Sequence, residues 1–146
     1  CYSGVFVDGM SHVGFGCLGV DIHKELIDIL KDKNYGDTEK LFMFSPAEHL
    51  DVADNEADIV TSFDTLEHVI DLHKSLSEME RVCMPGGMII INLPRMTLGY
   101  KDESHEHLRM FDDEDINRIW GHKKNFKFEF CQDELGRPTS FITYEK

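Results

Sequence analysis

Basic residues are scarce. Fifteen Lys and Arg stand against 28 Asp and Glu in 146 residues, a formal charge of −13 with histidine neutral. A surface this acidic repels a phosphate backbone, and no Lys/Arg stripe with interleaved aromatics offsets the repulsion. Nucleic acid is therefore not expected as a partner. Long apolar runs are missing too: the longest, such as Met88 to Ile91, fall far short of the roughly 20 residues of a membrane-spanning helix. The chain is expected to stay out of membranes. Only four prolines occur, and no Pro/Ser-rich linker, internal repeat or low-complexity tract divides the sequence. A single domain spanning residues 1–146 is expected. Four cysteines, Cys1, Cys17, Cys83 and Cys131, form no C-x-x-C pair and have no histidine at zinc-finger spacing, which suits reduced thiols in a cytoplasmic protein. Cys17 and Cys83 lie in apolar stretches and read as core packing.

With 41% hydrophobic and 29% charged residues, the chain can bury a core and is too apolar for disorder. Its pattern is one of alternation. Short β-branched or aromatic runs (Cys17 to Asp21, Leu41 to Phe44, Asp58 to Ser62, Met88 to Leu93) are separated by stretches of helical spacing, the signature of parallel strands joined by crossover helices. From His23 to Asn34, Leu26, Ile27 and Leu30 fall on one stripe. Leu72, Leu76, Met79 and Cys83 make a second stripe, halted at Pro85-Gly86-Gly87. Asp112 and Asp115, ahead of Ile116, Ile119 and Trp120, predict a capped helix start, with acids at the positive end of its dipole. Beyond Trp120, Phe126, Phe128 and Phe130 alternate with Lys127 and Glu129, and Phe141-Ile142 lies past a turn-rich stretch from Asp133 to Pro138. An antiparallel hairpin is expected there, added to the parallel strands. The fold class is α/β.

The first 23 residues are the most informative. Cys1-Tyr2-Ser3-Gly4 precedes a helical stretch from Val5 to His12, and a strand ends in Gly19-Val20-Asp21-Ile22. A small-residue loop lets backbone approach a ligand at a helix start, and an acid at the tip of the next strand can accept from both hydroxyls of a ribose. Asp21 is the leading candidate for that contact; the alternative is capping of the helix that begins at His23. These features alone do not separate NAD from other adenosine cofactors.

Taken together, the motifs resemble the class I S-adenosylmethionine-dependent methyltransferases along the whole chain. Cys1-Tyr2-Ser3-Gly4 is similar to the end of that family's glycine-rich loop, and Gly19 to Ile22 to its ribose-binding strand end. Ser45-Pro46-Ala47-Glu48-His49-Leu50 resembles the adenine-contact loop. Asp54 to Val60, followed by Leu66-Glu67-His68-Val69, resembles the family's fourth strand and the helix after it. Arg81 to Gly87 resembles the turn into the fifth strand, and Glu106 to Phe111 a segment common before the sixth. The resemblance implies a Rossmann-like sheet ordered three, two, one, four, five, seven, six. It also implies S-adenosylmethionine as cofactor, contacted by Cys1, Gly4, Asp21, Ile22, Pro46, Ala47, Ser62 and Phe63.

Two departures stand out. The family's first strand would precede Cys1, so the chain is expected to be a truncated fragment whose unpaired strands favour a homo-oligomer. Pro46 stands where relatives often carry an acid for the adenine amine, which proline cannot supply. Because the sulfonium already activates the methyl group, the protein chiefly aligns the reactants and excludes water. For a hydroxyl acceptor a base helps, and His105 or His107, beside Tyr100 and Arg109 as acceptor contacts, are the candidates. The cluster Asp102-Glu103-His105-Glu106-His107 reads as a solvated loop first, a substrate contact second and a metal site last, since the H-x-H spacing brings no further recognisable ligand. Glu67-His68 reads as a structural hydrogen-bonding pair, or as a border of the cofactor. The acidic surface suits a neutral or cationic small-molecule acceptor. The alternative is a non-catalytic, methyltransferase-like interaction protein that has lost its cofactor.

Overall fold

A computed structural model describes residues 2–32, 42–97, 105–133 and 135–146. The chain divides into two units, Cys1–Asp51 and Val52–Lys146. Cys1, Tyr100, Asp102, Glu103 and the helix stop at Asn34 to Gly36 lie outside the described residues.

In the first unit, α1 (Val5–His12) leads to β1 (Gly19–Asp21), α2 (Lys24–Asp32) and β2 (Phe42–Phe44). The strands pair in parallel, Gly19 with Phe42 through Asp21 with Phe44, so α2 is the crossover that the alternation predicts. Its apolar stripe turns inward as expected: Ile27 and Leu30 are buried with Val7 and Phe42, and Cys17 and Leu26 pack against that cluster.

The second unit runs β3 (Ala57–Phe63), α3 (Leu72–Val82), β4 (Cys83–Pro94), α4 (Asp113–Trp120), β5 (Lys124–Gln132) and β6 (Pro138–Glu145). Its sheet has the order β3-β4-β6-β5. The β3–β4 pair is parallel, and the two pairs made by β6 are antiparallel, which gives the expected C-terminal hairpin. Alternation in β4 buries Ile89, Ile91 and Leu93 completely, while α3 packs on β3 and β4 with Leu76, Met79 and Val82 inward. The α4 start carries the expected capping box between Asp112 and Asp115. Asn92, buried in β4, donates from Nδ2 to Thr139 Oγ1 at 2.6 Å, and Thr139 in turn donates to Leu93 O at 2.7 Å.

Two boundaries differ from the sequence expectation. Residues 66–69 make a turn rather than a helix, and α3 starts only at Leu72, where Asp71 accepts from the Lys74 N–H at 3.0 Å. The second difference lies at the other end of α3, which stops at Val82 instead of running to Pro85. Cys83 is already extended and paired with Ala57, and its carbonyl accepts from Lys146 Nζ at 2.6 Å. Gly87 permits the register jump that follows: a Cβ there would sit 2.7 Å from Asp58 O and 2.8 Å from Cys83 Sγ.

Each sheet keeps the order expected for its part of the chain. Among the described residues, β1 pairs only with β2 and β3 only with β4. Cys17, Cys83 and Cys131 are free thiols, with Cys83 fully buried.

Candidate functional site

The first unit places its candidates around the end of β1. Gly4, at the N-cap of α1, has φ 77°, a left-handed conformation that a Cβ disfavours. A Cβ there would also lie 2.8 Å from Leu30 Cδ2 and 3.0 Å from Phe42 Cζ. The loop thus folds onto the unit's core. Asp21 closes it from the other side, Oδ2 accepting the Tyr2 N–H at 3.0 Å and Oδ1 accepting the His23 N–H at 3.0 Å. The second bond makes Asp21 an Asx-turn residue two positions ahead of His23, whose own carbonyl accepts the first helical N–H, from Ile27. Partial burial opposes ionisation of Asp21, but the accepted hydrogen bonds outweigh it and hold the carboxyl well below the usual range. Its side chain is 14% exposed, so an ionised acceptor sits at the strand tip. Ile22 is exposed beside it. Pro46 and Ala47 occupy a half-buried turn closed by the His49 N–H on Pro46 O at 3.1 Å. Ser45 anchors that turn, donating its hydroxyl to His49 O at 2.6 Å, while its N–H reaches Asp21 O at 3.0 Å.

In the second unit the candidates gather past the carboxyl end of β3, where open α/β sheets present ligand contacts. Ser62 Oγ is buried without a hydrogen-bond partner. Phe63 meets Phe141 edge-on, ring centroids 6.2 Å apart. The following turn is fixed by Arg109: its guanidinium donates to Leu66 O at 2.8 Å, Val69 O at 2.6 Å and Ile70 O at 3.2 Å. These carbonyls would have extended a helix, which explains the turn at 66–69. Leu108 N–H adds a bond to Glu67 O at 2.9 Å. The result brings three side chains together. His68 and His107 stack edge to face, and His68 Nε2 lies 3.7 Å from Glu67 Oε1.

Glu67 is 1% exposed, and neither carboxylate oxygen has a hydrogen-bond partner. Burial pushes its carboxyl up from the ordinary value. His105, by contrast, is exposed. Sequence reasoning noted Glu67-His68 and His107 separately and missed their convergence. The signal was the presence of three ligand-type residues, but bonds from Arg109 and Leu108, with the His68 ring against Glu106 O, bring the two segments together.

The family profile described as methyltransferase domain matches residues 1–91. No curated protein sequence matches the chain. Among solved structures, a SAM-dependent methyltransferase from Thermotoga maritima is similar at TM-score 0.75 and 18% identity, over 99% of this chain and 78% of that one. One from Archaeoglobus fulgidus reaches TM-score 0.79 at 18% identity, over 100% and 83%. A third, from Methanosarcina mazei, reaches 0.78 at 16%, over 100% and 89%. The likeness to these structures establishes the shared fold. The profile match covers more than half of the sequence, and on that ground this chain belongs to the methyltransferase domain family, within the class I S-adenosylmethionine-dependent group.

Proposed function

We propose that the chain binds S-adenosylmethionine and transfers its methyl group to a small-molecule acceptor in the cytoplasm. The observation that carries this reading is Asp21, kept ionised at the tip of β1 while it holds the Tyr2 backbone. Asp21 already accepts the Tyr2 and His23 N–H groups, and His23 Nδ1 lies 3.0 Å from its Oδ1, so a ribose hydroxyl would take the place of the exposed His23 ring. Gly4 supports the fit by letting the loop at the start of α1 pack on Leu30 and Phe42. Cys1 and Ile22, with the turn at Pro46 and Ala47, complete the proposed cofactor contacts of the first unit; Ser62 and Phe63 are those of the second. The bound cofactor would supply an electrophilic methyl on a sulfonium.

The chain's own residues then have only to hold the acceptor in line and keep water out. His105 or His107 is the proposed base for a hydroxyl acceptor, with Tyr100 as an acceptor contact. Arg109 is assigned to the acceptor side as well, where it fixes the loop that carries His68. Calorimetry with S-adenosylhomocysteine tests the reading. Saturable heat supports it, whereas silence with that ligand and binding of NAD overturns it.

Pro46 favours a second reading, a methyltransferase-like protein with no cofactor and a role in binding other proteins. Silence toward both ligands would select it. Self-association is proposed in either case, and light scattering that returns a monomer would remove it.

A further inference from the structure

We propose that Glu67, His68 and His107 form a binding site for a divalent first-row transition cation of the zinc class. One carboxylate oxygen and one imidazole nitrogen from each histidine lie within 4.8 Å of one another. Ligands at about 2.0–2.2 Å from a tetrahedral ion stand roughly 3.4 Å apart, so side-chain rotation of about 1 Å closes the set.

Two further features point to a cation. The first is the orientation of His68. Its Nδ1 lies 3.0 Å from Glu106 O, and a carbonyl can only accept, so Nδ1 donates and in the neutral ring the Nε2 lone pair is the one left on the Glu67 side. Metal-bound histidines are held in this way, one ring nitrogen donating to a carbonyl while the other ligates. The second is Glu67 itself, a carboxylate almost wholly removed from water with neither oxygen hydrogen-bonded. Such a group needs a counter-charge or a proton. A proton would answer Glu67 alone, whereas a cation would engage all three side chains.

The donor set chooses the ion. Two imidazole nitrogens and one carboxylate oxygen suit zinc and its neighbours better than magnesium or calcium, which prefer all-oxygen shells. Three protein ligands also leave a coordination position for water or another ligand atom. The site does not rest on the methyl-transfer reading. If the cation is bound, His107 is a ligand and His105 remains as the base.

The test uses the full chain, stripped with chelator and free of any nucleotide, titrated with Co²⁺ by visible absorption and with Zn²⁺ by calorimetry. One equivalent of Co²⁺ should bind with visible absorption bands, and Zn²⁺ should displace it with micromolar or tighter affinity. His68→Ala and His107→Ala should each weaken Zn²⁺ at least tenfold, while His73→Ala, an exposed histidine on α3, leaves it unchanged. Glu67→Gln keeps side-chain volume and should also weaken binding at least tenfold, with circular dichroism reporting the fold of every variant. No binding tighter than millimolar, or equal binding by wild type and the folded His107→Ala protein, overturns the proposal.

Discussion

The imidazoles of His68 and His107 meet with ring centroids 4.9 Å apart and planes inclined at 65°, although one follows β3 and the other precedes α4. Their meeting is set by bonds between the two segments, one of them from the His68 ring to Glu106 O. Arg109 spans the turn after β3 through three carbonyls, and Leu108 donates to Glu67. Local chain geometry thus sets up the chemistry of this corner.

Removing that brace should be felt in stability first. Arg109→Ala strands the carbonyls of Leu66, Val69 and Ile70, and a charged donor lost from partly buried acceptors costs about 2–3 kcal/mol. Arg109→Lys should recover only part of this, because an ammonium cannot reproduce the planar fork. Urea denaturation of the three proteins checks the order.

Gly4→Ala is expected to destabilise the first unit by about 1–3 kcal/mol. The positive φ and the short approach to Leu30 act together. Gly9→Ala should act in the opposite direction, since a Cβ at Gly9 meets nothing within 4 Å and alanine is favoured inside a helix. The thermal midpoint of each variant against the wild type measures its effect.

Asp21 should give the first unit an acid-sensitive stability. Its folded carboxyl ionises well below the ordinary 3.8, so the contribution is present above that value and fades as pH falls beneath it. Urea midpoints taken from about pH 6 down to about pH 2.5 should drop for the wild type and flatten for Asp21→Asn. The same substitution should weaken S-adenosylhomocysteine at least tenfold, which calorimetry reads.

Tyr144 predicts the opposite limb. Buried, and donating to Glu80 at 3.1 Å, its phenol is held far above the ordinary 10.0, first by burial and then by the Glu80 charge. The unfolded chain releases that proton near pH 10 while the fold retains it, so stability is intact below and declines above. Tyr144→Phe should start about 1 kcal/mol lower and show a shallower alkaline decline.

Much of this architecture was legible in the residues. The stripe of Ile27 and Leu30, the Asp112/Asp115 cap and the alternating phenylalanines of β5 each follow from periodicity, which local sequence carries. Asp21 was legible as well, since an acid at a strand tip is a short-range pattern. The turn at 66–69 was not, because the carbonyls that would have made it helical are taken by Arg109 from a distant segment. The convergence of Glu67 with His107 was hidden for the same reason, as no spacing rule links residues whose proximity depends on a guanidinium elsewhere in the chain.

The inward-facing pair Asn92 and Thr139 has an effect beyond its two hydrogen bonds. Sliding β6 by one residue would carry the hydroxyl off and leave an amide stranded in an apolar layer. Alignment of β6 on β4 is therefore read from within, while the connection at residues 133–137 sets how β5 meets β6. The stretch of chain between β4 and β6 can therefore change length over evolutionary time while those two strands keep their partners.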